Sequence, residues 1–417
     1  MALELPALTA ALARLPDSTI HLAAFGGIAF PFAMLIESPI VMLLSASTEL
    51  CRDLPSYRLM YRVMMRSGLA LTVLHLMFAV TPLFDLVLGN LIRMPAELVE
   101  PTRQALLLLT PWTWAIAYRR FHQGVLIRYG RSRVVGFGTA IRLGSGVTVL
   151  CVGLYLQSVS GVAVAAMAVV AGVVSEALFI GIMVRPVVNG ELAQSPIVTP
   201  ALTHQYFFKF YIPLALTSVV GFLVQPLGSA AMSRMPNPVD SLALWPIVAG
   251  LTFVFRCFGL ALNEVVVALI DLPGASRKLQ RFTLVLAVVT SSLAALITFS
   301  AVGPLIFTRF FGLNQTMTEF AIAAFILALP TPALSAYQSW YQGLVLNSRR
   351  TRSITEAVSI YLVTSAVLLF LGIVWPVLPG VKVSVGAIAI AMFAQLVYLR
   401  RSALRHFREK SKATAAS

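Results

Sequence analysis

Two stretches of this sequence decide its fold, because each is a copy of the other. Residues 111–124 read PWTWAIAYRRFHQG, and residues 330–343 read PTPALSAYQSWYQG. The proline, the Ala-Tyr pair, the aromatic position and the Gln-Gly pair all recur at one constant offset, the one that takes residue 111 to residue 330. We call this offset the repeat separation. The loops that follow also match at this offset, since Arg131 and Arg133 correspond to Arg350 and Arg352. A match of this density without a gap predicts a duplicated unit of about 219 residues.

The composition indicates a protein that lies in a lipid bilayer. The chain of 417 residues is 59% hydrophobic and 11% charged, whereas a soluble domain has about 25% charged residues. The net charge of +15 is spread over short loops between apolar runs, so it does not form the single basic patch of a nucleic-acid-binding protein. Cys51, Cys151 and Cys257 have no zinc or redox spacing.

Long apolar runs predict an all-α polytopic membrane protein. A spanning helix needs about 20 mainly apolar residues. Eleven segments meet this requirement: 19–46, 64–92, 102–126, 134–157, 160–185, 205–233, 240–270, 281–308, 317–346, 353–376 and 379–400.

The loops between these segments alternate in charge. The basic set holds Arg52, Arg58, Arg62 and Arg66, then Arg128, Arg131 and Arg133, then Arg277, Lys278 and Arg281, then Arg349, Arg350 and Arg352, and finally the tail from Arg400 onward. The sparse set holds Arg14, Arg93, Arg103, Arg234, Arg309 and Lys382. The positive-inside rule therefore predicts a multi-pass protein of the cell (inner or plasma) membrane with a cytoplasmic C-terminus.

The number of spans in each half is unequal. Both copies carry their arginines on one side, so the halves are parallel, and a parallel repeat needs an even number of spans. The second half has six spans and the first has five. Residues 10–16 (AALARLP) match residues 230–236 (AAMSRMP), where the span 205–233 ends. We expect residues 1–14 to be the end of a first helix whose beginning is absent. The alternative is a short surface helix before an eleven-span protein.

The repeat and the composition together predict the domain organisation. We expect an N-terminal lobe over residues 1–190, a Pro-rich polar linker over 191–204, a C-terminal lobe over 205–401 and a basic cytoplasmic tail over 402–417. Each complete lobe would be a six-helix bundle, and the two lobes would be pseudo-symmetric.

Two such lobes resemble the plan of the multidrug/oligosaccharidyl-lipid/polysaccharide (MOP) exporter superfamily, with a MATE-like fold. Within it, residues 210–216 (FYIPLAL), 27–30 (GIAF), Pro39 and 122–124 (HQG) are similar to motifs of the progressive ankylosis family. The chain departs from that family at Gln225, where the family carries arginine. The resemblance implies export of phosphate-containing or carboxylate anions, such as pyrophosphate, nucleoside triphosphate or citrate.

Ionisable and amide side chains inside the spans are the candidate functional residues. Such a group costs several kcal/mol unless it lines water or meets a partner. Cationic groups outnumber acids at depth, and the fork of arginine binds two oxygens at once, so a small anionic substrate is predicted. Helical periodicity places Arg119 and His122 on one face, which we expect to line the cleft between the lobes. The substrate-binding candidates are Arg119, His122, Gln123, Arg142, Gln225, Arg256 and Gln342.

The acidic residues have two readings. Glu37 and Glu264 lie in related helices of the two halves, and either could carry a coupling proton or pair with arginine. Glu176 is interpreted as one member of a structural ion pair, because buried Arg–Glu pairs often only lock helices together. Gln123 and Gln342 each precede glycine, which also fits helix packing.

Three functions are compared on this basis. The sequence has no nucleophile elbow, no His-Glu-x-x-His and no Walker loop, so no catalytic residue, cofactor or metal is predicted, and transport would be secondary or facilitated. The first hypothesis is a monomeric transporter that exports a small anion by alternating access, with the anion bound between the lobes. The second is an exporter of drugs or lipid-linked sugars, and the third is a membrane-embedded transferase.

Overall fold

The structure is a computed structural model that describes residues 3–270, 272–347 and 352–415. Within these ranges the chain forms helices and no strand. Arg349 and Arg350, predicted in a cytoplasmic loop, lie outside the described residues, as do the side chains beyond residue 405. The predicted tail 402–417 continues the last helix as far as Ala415.

The chain divides into two compact units. Unit 1 runs from Ala7 to Ala230, and unit 2 runs from Ala231 onward and includes residues 3–6. The helices up to Met232 are α1 (Glu4–Leu12), α2 (Ser18–Leu22), α3 (Phe30–Val41), α4 (Leu43–Leu50), α5 (Leu54–Val80), α6 (Val99–Arg128), α7 (Ser132–Leu156), α8 (Gly161–Pro186) and α9 (His204–Met232). The later helices are α10 (Pro238–Leu269), α11 (Ala275–Phe299), α12 (Val302–Leu305), α13 (Gln315–Ala328), α14 (Thr331–Asn347), α15 (Arg352–Val374) and α16 (Gly380–Ala415).

The linker at 191–204 and the C-terminal lobe that would begin with α9 stay predictions. The division into units falls after Ala230, so α9 groups with unit 1. Two side-chain hydrogen bonds join α9 to carbonyls of unit 1: the Tyr211 hydroxyl donates to Pro39, and the Ser229 hydroxyl donates to Gly27 at 2.5 Å. Sequence hydropathy contains no information on such side-chain contacts.

Within the described residues, ten helical segments are long and apolar enough to cross a membrane. They correspond to ten of the eleven predicted spans. The eleventh prediction, 102–126, forms α6, whose 30 residues are long enough at about 1.5 Å per residue but include several charged side chains. Helix α6 packs against α4, α5 and α8, and its polar residues Arg119, His122 and Gln123 lie inside unit 1.

The duplication is visible as equivalent contacts inside each unit. Both units contain a π-helical turn shortly after their second long span, Asp85–Leu91 in one and Ile306–Phe310 in the other. Equivalent backbone bonds join Ile92 to Val87 and Phe311 to Ile306, and Met94 to Leu88 and Leu313 to Phe307. The Cβ position of Gly153 faces Val164, as that of Gly372 faces Val383. The members of each of these equivalent pairs are related by the repeat separation found in the sequence.

A π-helical segment shifts this register by one residue. Before the π-helical segment, Asp17 and Asn237 are equivalent, because each precedes its helix with a left-handed φ angle, 51° and 52°. The offset between these two residues is one position longer than the repeat separation. After the segment, the Cβ positions of Gly124 and Gly343 face the Leu44 and Asn263 carbonyls, and both pairs have the repeat separation itself. The π-helix Ala23–Ala29 lies between, whereas α10 is α-helical throughout. A π-turn adds one residue to a helix, so it accounts for the shift.

Asp53 joins the segment before α9 to the start of α5. Its carboxylate accepts hydrogen bonds from the backbone N–H groups of Ser56 and Val198, each at 2.9 Å, so it caps α5. Partial burial acts to raise the pKa of Asp53, but the hydrogen bonds from Ser56 and Val198 outweigh it and lower the pKa. The cap is therefore a carboxylate at neutral pH.

Candidate functional site

A buried ion pair lies at the centre of unit 1. Arg119 of α6 donates from Nη1 to Glu176 Oε2 of α8 at 2.8 Å, and both side chains are at most 1% exposed. Gln123, one turn along α6, donates from Nε2 to the other carboxylate oxygen of Glu176 at 2.8 Å. Arg142 of α7 places Nη1 3.9 Å from Glu176 Oε2. Glu176 therefore holds three helices together through one carboxylate.

Glu37 of α3 adds a second acid to this cluster. It is 1% exposed, and its Oε1 has no hydrogen-bond partner within the described part of the chain. Its carboxylate lies within electrostatic reach of Arg119, Arg120 and Arg142. Three guanidinium groups and two carboxylates, if all are ionised, give this unit 1 cluster an excess of one positive charge.

His122 is held by an aromatic pocket in unit 1. Its Nδ1 lies 2.8 Å from the Tyr118 carbonyl, which can only accept, so Nδ1 carries the proton. Its Nε2 then accepts from the Tyr57 hydroxyl at 3.2 Å. The rings of Tyr61 and Phe121 pack around the imidazole. Both ring nitrogens are thus occupied by protein groups. Arg119 and His122 are both buried, and their expected place at the cleft between the lobes stays a prediction.

In unit 2, Arg256 lies deep within the spanning helix α10. Arg256 of α10 is partly buried, and its Nε has no hydrogen-bond partner among the residues described. Tyr361 of α15 lies within its electrostatic reach. In the same described ranges, no carboxylate forms an ion pair with Arg256. Its surroundings therefore differ from those of the three arginines in unit 1, which share two acids.

The repeat shows that the unit 1 cluster and the surroundings of Arg256 in unit 2 occupy equivalent positions in the two units. At the repeat separation, Glu37 corresponds to Arg256, and Arg142 corresponds to Tyr361. The Arg119–Glu176 ion pair corresponds to Gln338 and Gln395, which are joined by an amide hydrogen bond of 3.1 Å. A charged cluster in unit 1 is thus replaced in unit 2 by one arginine among uncharged polar groups.

Sequence reasoning did not single out Gln338, Tyr361 and Gln395. The available signal was the repeat itself, since applying its separation to each charged residue within a span leads to these three positions.

The other predicted residues lie apart from these contacts. Gln225 of α9 and Gln342 of α14 are partly buried, and Glu264 of α10 is exposed. Glu264 is not the repeat equivalent of Glu37, which is Arg256. In the described ranges, no group of three or more His, Cys, Asp or Glu side chains is arranged to hold a metal ion.

Comparisons with known proteins identify the fold. No protein-family model and no curated protein matches the sequence. An inward-facing MATE multidrug transporter of the MOP superfamily matches with a TM-score of 0.74 and 15% identity, over 99% of this chain and 96% of that one. The fold is MATE-like. The lipid II flippase MurJ shares it with a TM-score of 0.62 and 13% identity, over 95% and 85% of the two chains.

A MOP superfamily transporter from Pyrococcus furiosus, whose binding pocket is described as having reversed polarity, matches this MATE-like chain with a TM-score of 0.57 and 15% identity. That match covers 96% of this chain and 94% of the other. The predicted fold class is confirmed, and the resemblance to the MOP superfamily stays a prediction. The narrower resemblance to the progressive ankylosis family stays a prediction.

Proposed function

We propose that this chain is a secondary transporter that exports a small organic or phosphate-containing anion across the cell membrane, with its C-terminus in the cytoplasm. The MATE-like fold and the apolar helices support a transporter. The proposal of an anionic substrate rests on one observation: Arg256 lies within a spanning helix and has no carboxylate partner among the described residues. Citrate, pyrophosphate and nucleotides are the substrates to test first, because carboxylate and phosphate oxygens fit the arginine fork.

Arg256 lies far inside a spanning helix. It is about 18 residues from the first residue of α10, which is about 27 Å at the usual rise of an α-helix. A guanidinium at such a position costs several kcal/mol unless it lines water or meets an anion. Without a carboxylate partner among the described residues, Arg256 is suited to meet an anion that comes from outside the protein.

The charge balance of the clusters argues against a cationic substrate. The unit 1 cluster holds three guanidinium groups against two carboxylates, and the unit 2 location has Arg256 without an acid among the described residues. An exporter of cationic drugs would instead need a carboxylate that is not already neutralised by arginine. Glu37 and Glu176 each lie within reach of at least two arginines, so neither meets that requirement.

Transport in proteoliposomes tests the proposal. We expect the wild-type protein to move labelled citrate or pyrophosphate, and we expect Arg256→Gln to reduce the initial rate at least tenfold, because the guanidinium that would meet the anion is lost. Arg277→Gln is the matched control, since Arg277 is exposed at the start of α11 and should transport as the wild type does. Transport of a cationic dye or a lipid-linked sugar, without any anion transport, would instead favour the second hypothesis.

Glu37 is the residue we propose for carrying a coupling proton. It is buried, one of its oxygens has no partner among the described residues, and protonation would change the charge next to three arginines. We expect Glu37→Gln to abolish acceleration of anion transport by a pH gradient while exchange without a gradient continues. Glu264→Gln, at the exposed acid, is the matched control and should keep the response. An unchanged pH-gradient response in Glu37→Gln would remove Glu37 from the coupling mechanism.

A further inference from the structure

We propose that Gln395 and Tyr361 complete an anion subsite around Arg256 within unit 2, in which every group that faces the ligand donates a hydrogen bond. The inference rests on the proposed anion transport and adds two residues to it. The ligand group would be a carboxylate or a phosphate, which accepts hydrogen bonds and carries negative charge. The location is the one at which unit 1 holds its buried ion pair.

The orientation of the Gln395 amide follows from a chain of hydrogen bonds. The backbone carbonyl of Met392 can only accept, so the group of Gln338 that faces it at 2.7 Å is the amide nitrogen. The same nitrogen lies 3.1 Å from Gln395, which must present its oxygen. The NH2 group of Gln395 is therefore directed away from Gln338. Its two N–H bonds have no partner within the described part of the chain.

Unit 1 shows which groups the repeat brings together at this location. There, Glu176 lies 3.9 Å from Arg142 and within electrostatic reach of Arg120. Glu37 lies within reach of Arg142. The equivalent residues of unit 2 are Gln395 for Glu176, Tyr361 for Arg142 and Arg256 for Glu37. Tyr361 does lie within electrostatic reach of Arg256, as the repeat requires.

Replacing the acid by an amide changes what the location can bind. In unit 1, the carboxylate of Glu176 pairs with Arg119 and lies 3.9 Å from Arg142, so these arginines already have an anionic partner from the protein. In unit 2, Gln395 has the same shape as glutamate but offers N–H groups and no charge. Arg256, Gln395 and the hydroxyl of Tyr361 can then all donate to one oxyanion. An oxyanion that accepts several such bonds is held more firmly than by a single arginine.

Binding of labelled citrate and pyrophosphate to the purified protein tests the subsite. We expect Gln395→Glu to weaken binding at least tenfold, because the new carboxylate would pair with Arg256. Gln395→Met removes the donors without adding charge, and Tyr361→Phe removes one hydroxyl, so we expect about threefold to tenfold losses from each. These two neutral variants keep the test valid even if Gln395→Glu does not fold.

A second substitution, added to Gln395→Glu, distinguishes loss of the anion subsite from a general loss of protein structure. In the double variant Gln338→Arg with Gln395→Glu, the new arginine should bind the new carboxylate, as Arg119 binds Glu176, and anion binding should return to about the level of Gln395→Met. Wild-type binding in Gln395→Met and Tyr361→Phe, with loss in Arg256→Gln, would overturn the subsite and leave the proposed function standing. If the wild-type protein binds neither anion, the proposed function fails and the subsite fails with it.

Discussion

Replacing Arg119 by glutamine is expected to destabilise the protein by about 3–5 kcal/mol, because it leaves the buried carboxylate of Glu176 without its closest partner. Glu176→Gln alone should have a comparable effect, since it leaves Arg119 without its carboxylate. The double variant Arg119→Gln with Glu176→Gln should recover most of the loss. Unit 2 already shows that two glutamines fit this location, since Gln338 and Gln395 bond to each other there.

Thermal unfolding in detergent measures these effects. The control is the pair formed by Arg352 and Glu356, at 3.0 Å on the surface of α15, where Arg352 is 92% exposed. An exposed pair of this kind contributes little, so Arg352→Gln, which leaves the bond from Tyr398 to Glu356 in place, should leave the unfolding temperature unchanged. Single variants at Arg119 or Glu176 that unfold at the wild-type temperature would show that the pair does not stabilise unit 1.

A methyl group at Gly124 is expected to be the most damaging small substitution in the chain. A Cβ at Gly124 would lie 1.9 Å from the Ser47 hydroxyl and 2.3 Å from the Leu44 carbonyl oxygen. The serine side chain can rotate away, but the carbonyl belongs to the backbone of α4. Helices α4 and α6 would have to separate, so we expect Gly124→Ala to cost about 3 kcal/mol, at the upper end for overpacking.

Alanine substitutions at two other glycines provide comparisons for the stability loss expected from Gly124→Ala. Gly343, the repeat equivalent, would place a Cβ 2.6 Å from Cγ1 of Val266 but 3.3 Å from the Asn263 carbonyl oxygen, so the backbone clash is weaker and Gly343→Ala should cost less. Gly144 of α7 has no atom within 4 Å of its Cβ position, and Gly144→Ala should be neutral or slightly stabilising because alanine favours helix. Equal unfolding temperatures for the variants at Gly124 and Gly144 would contradict the close contact between α4 and α6.

The fold class was predictable because its signals are local. Apolar runs long enough to span a bilayer and the copies at 111–124 and 330–343 can be read without knowing any contact. The polar residues of α6 could also be recognised in the sequence, but the partners that stabilise them in the interior could not. Arg119 of α6 is inside unit 1, where Glu176 of α8 neutralises it, and that depends on helix packing.

The candidate site was predicted only in part, for a specific physical reason. Arg119, Arg142, Arg256 and Glu37 were selected one by one as costly charges in spans. The repeat separation aligns Glu37 with Arg256 and Arg119 with Gln338, but it does not say which of these side chains meet. Those contacts depend on helix packing.

The placement of α9 with unit 1 has a similar cause. It depends on side-chain hydrogen bonds from Tyr211 and Ser229, which hydropathy does not reveal. The sequence could therefore predict that α9 spans the membrane, but not the unit with which it packs.

Equilibrium binding of labelled citrate and pyrophosphate to the purified wild-type, Arg256→Gln and Arg277→Gln proteins tests the central claim most directly, because it needs no driving force. We expect saturable binding by the wild type and Arg277→Gln, and at least tenfold weaker binding by Arg256→Gln, which corresponds to about 1.4 kcal/mol or more. Saturable binding of a cationic dye, with no binding of either anion by folded wild-type protein, would contradict the assignment of an anionic substrate.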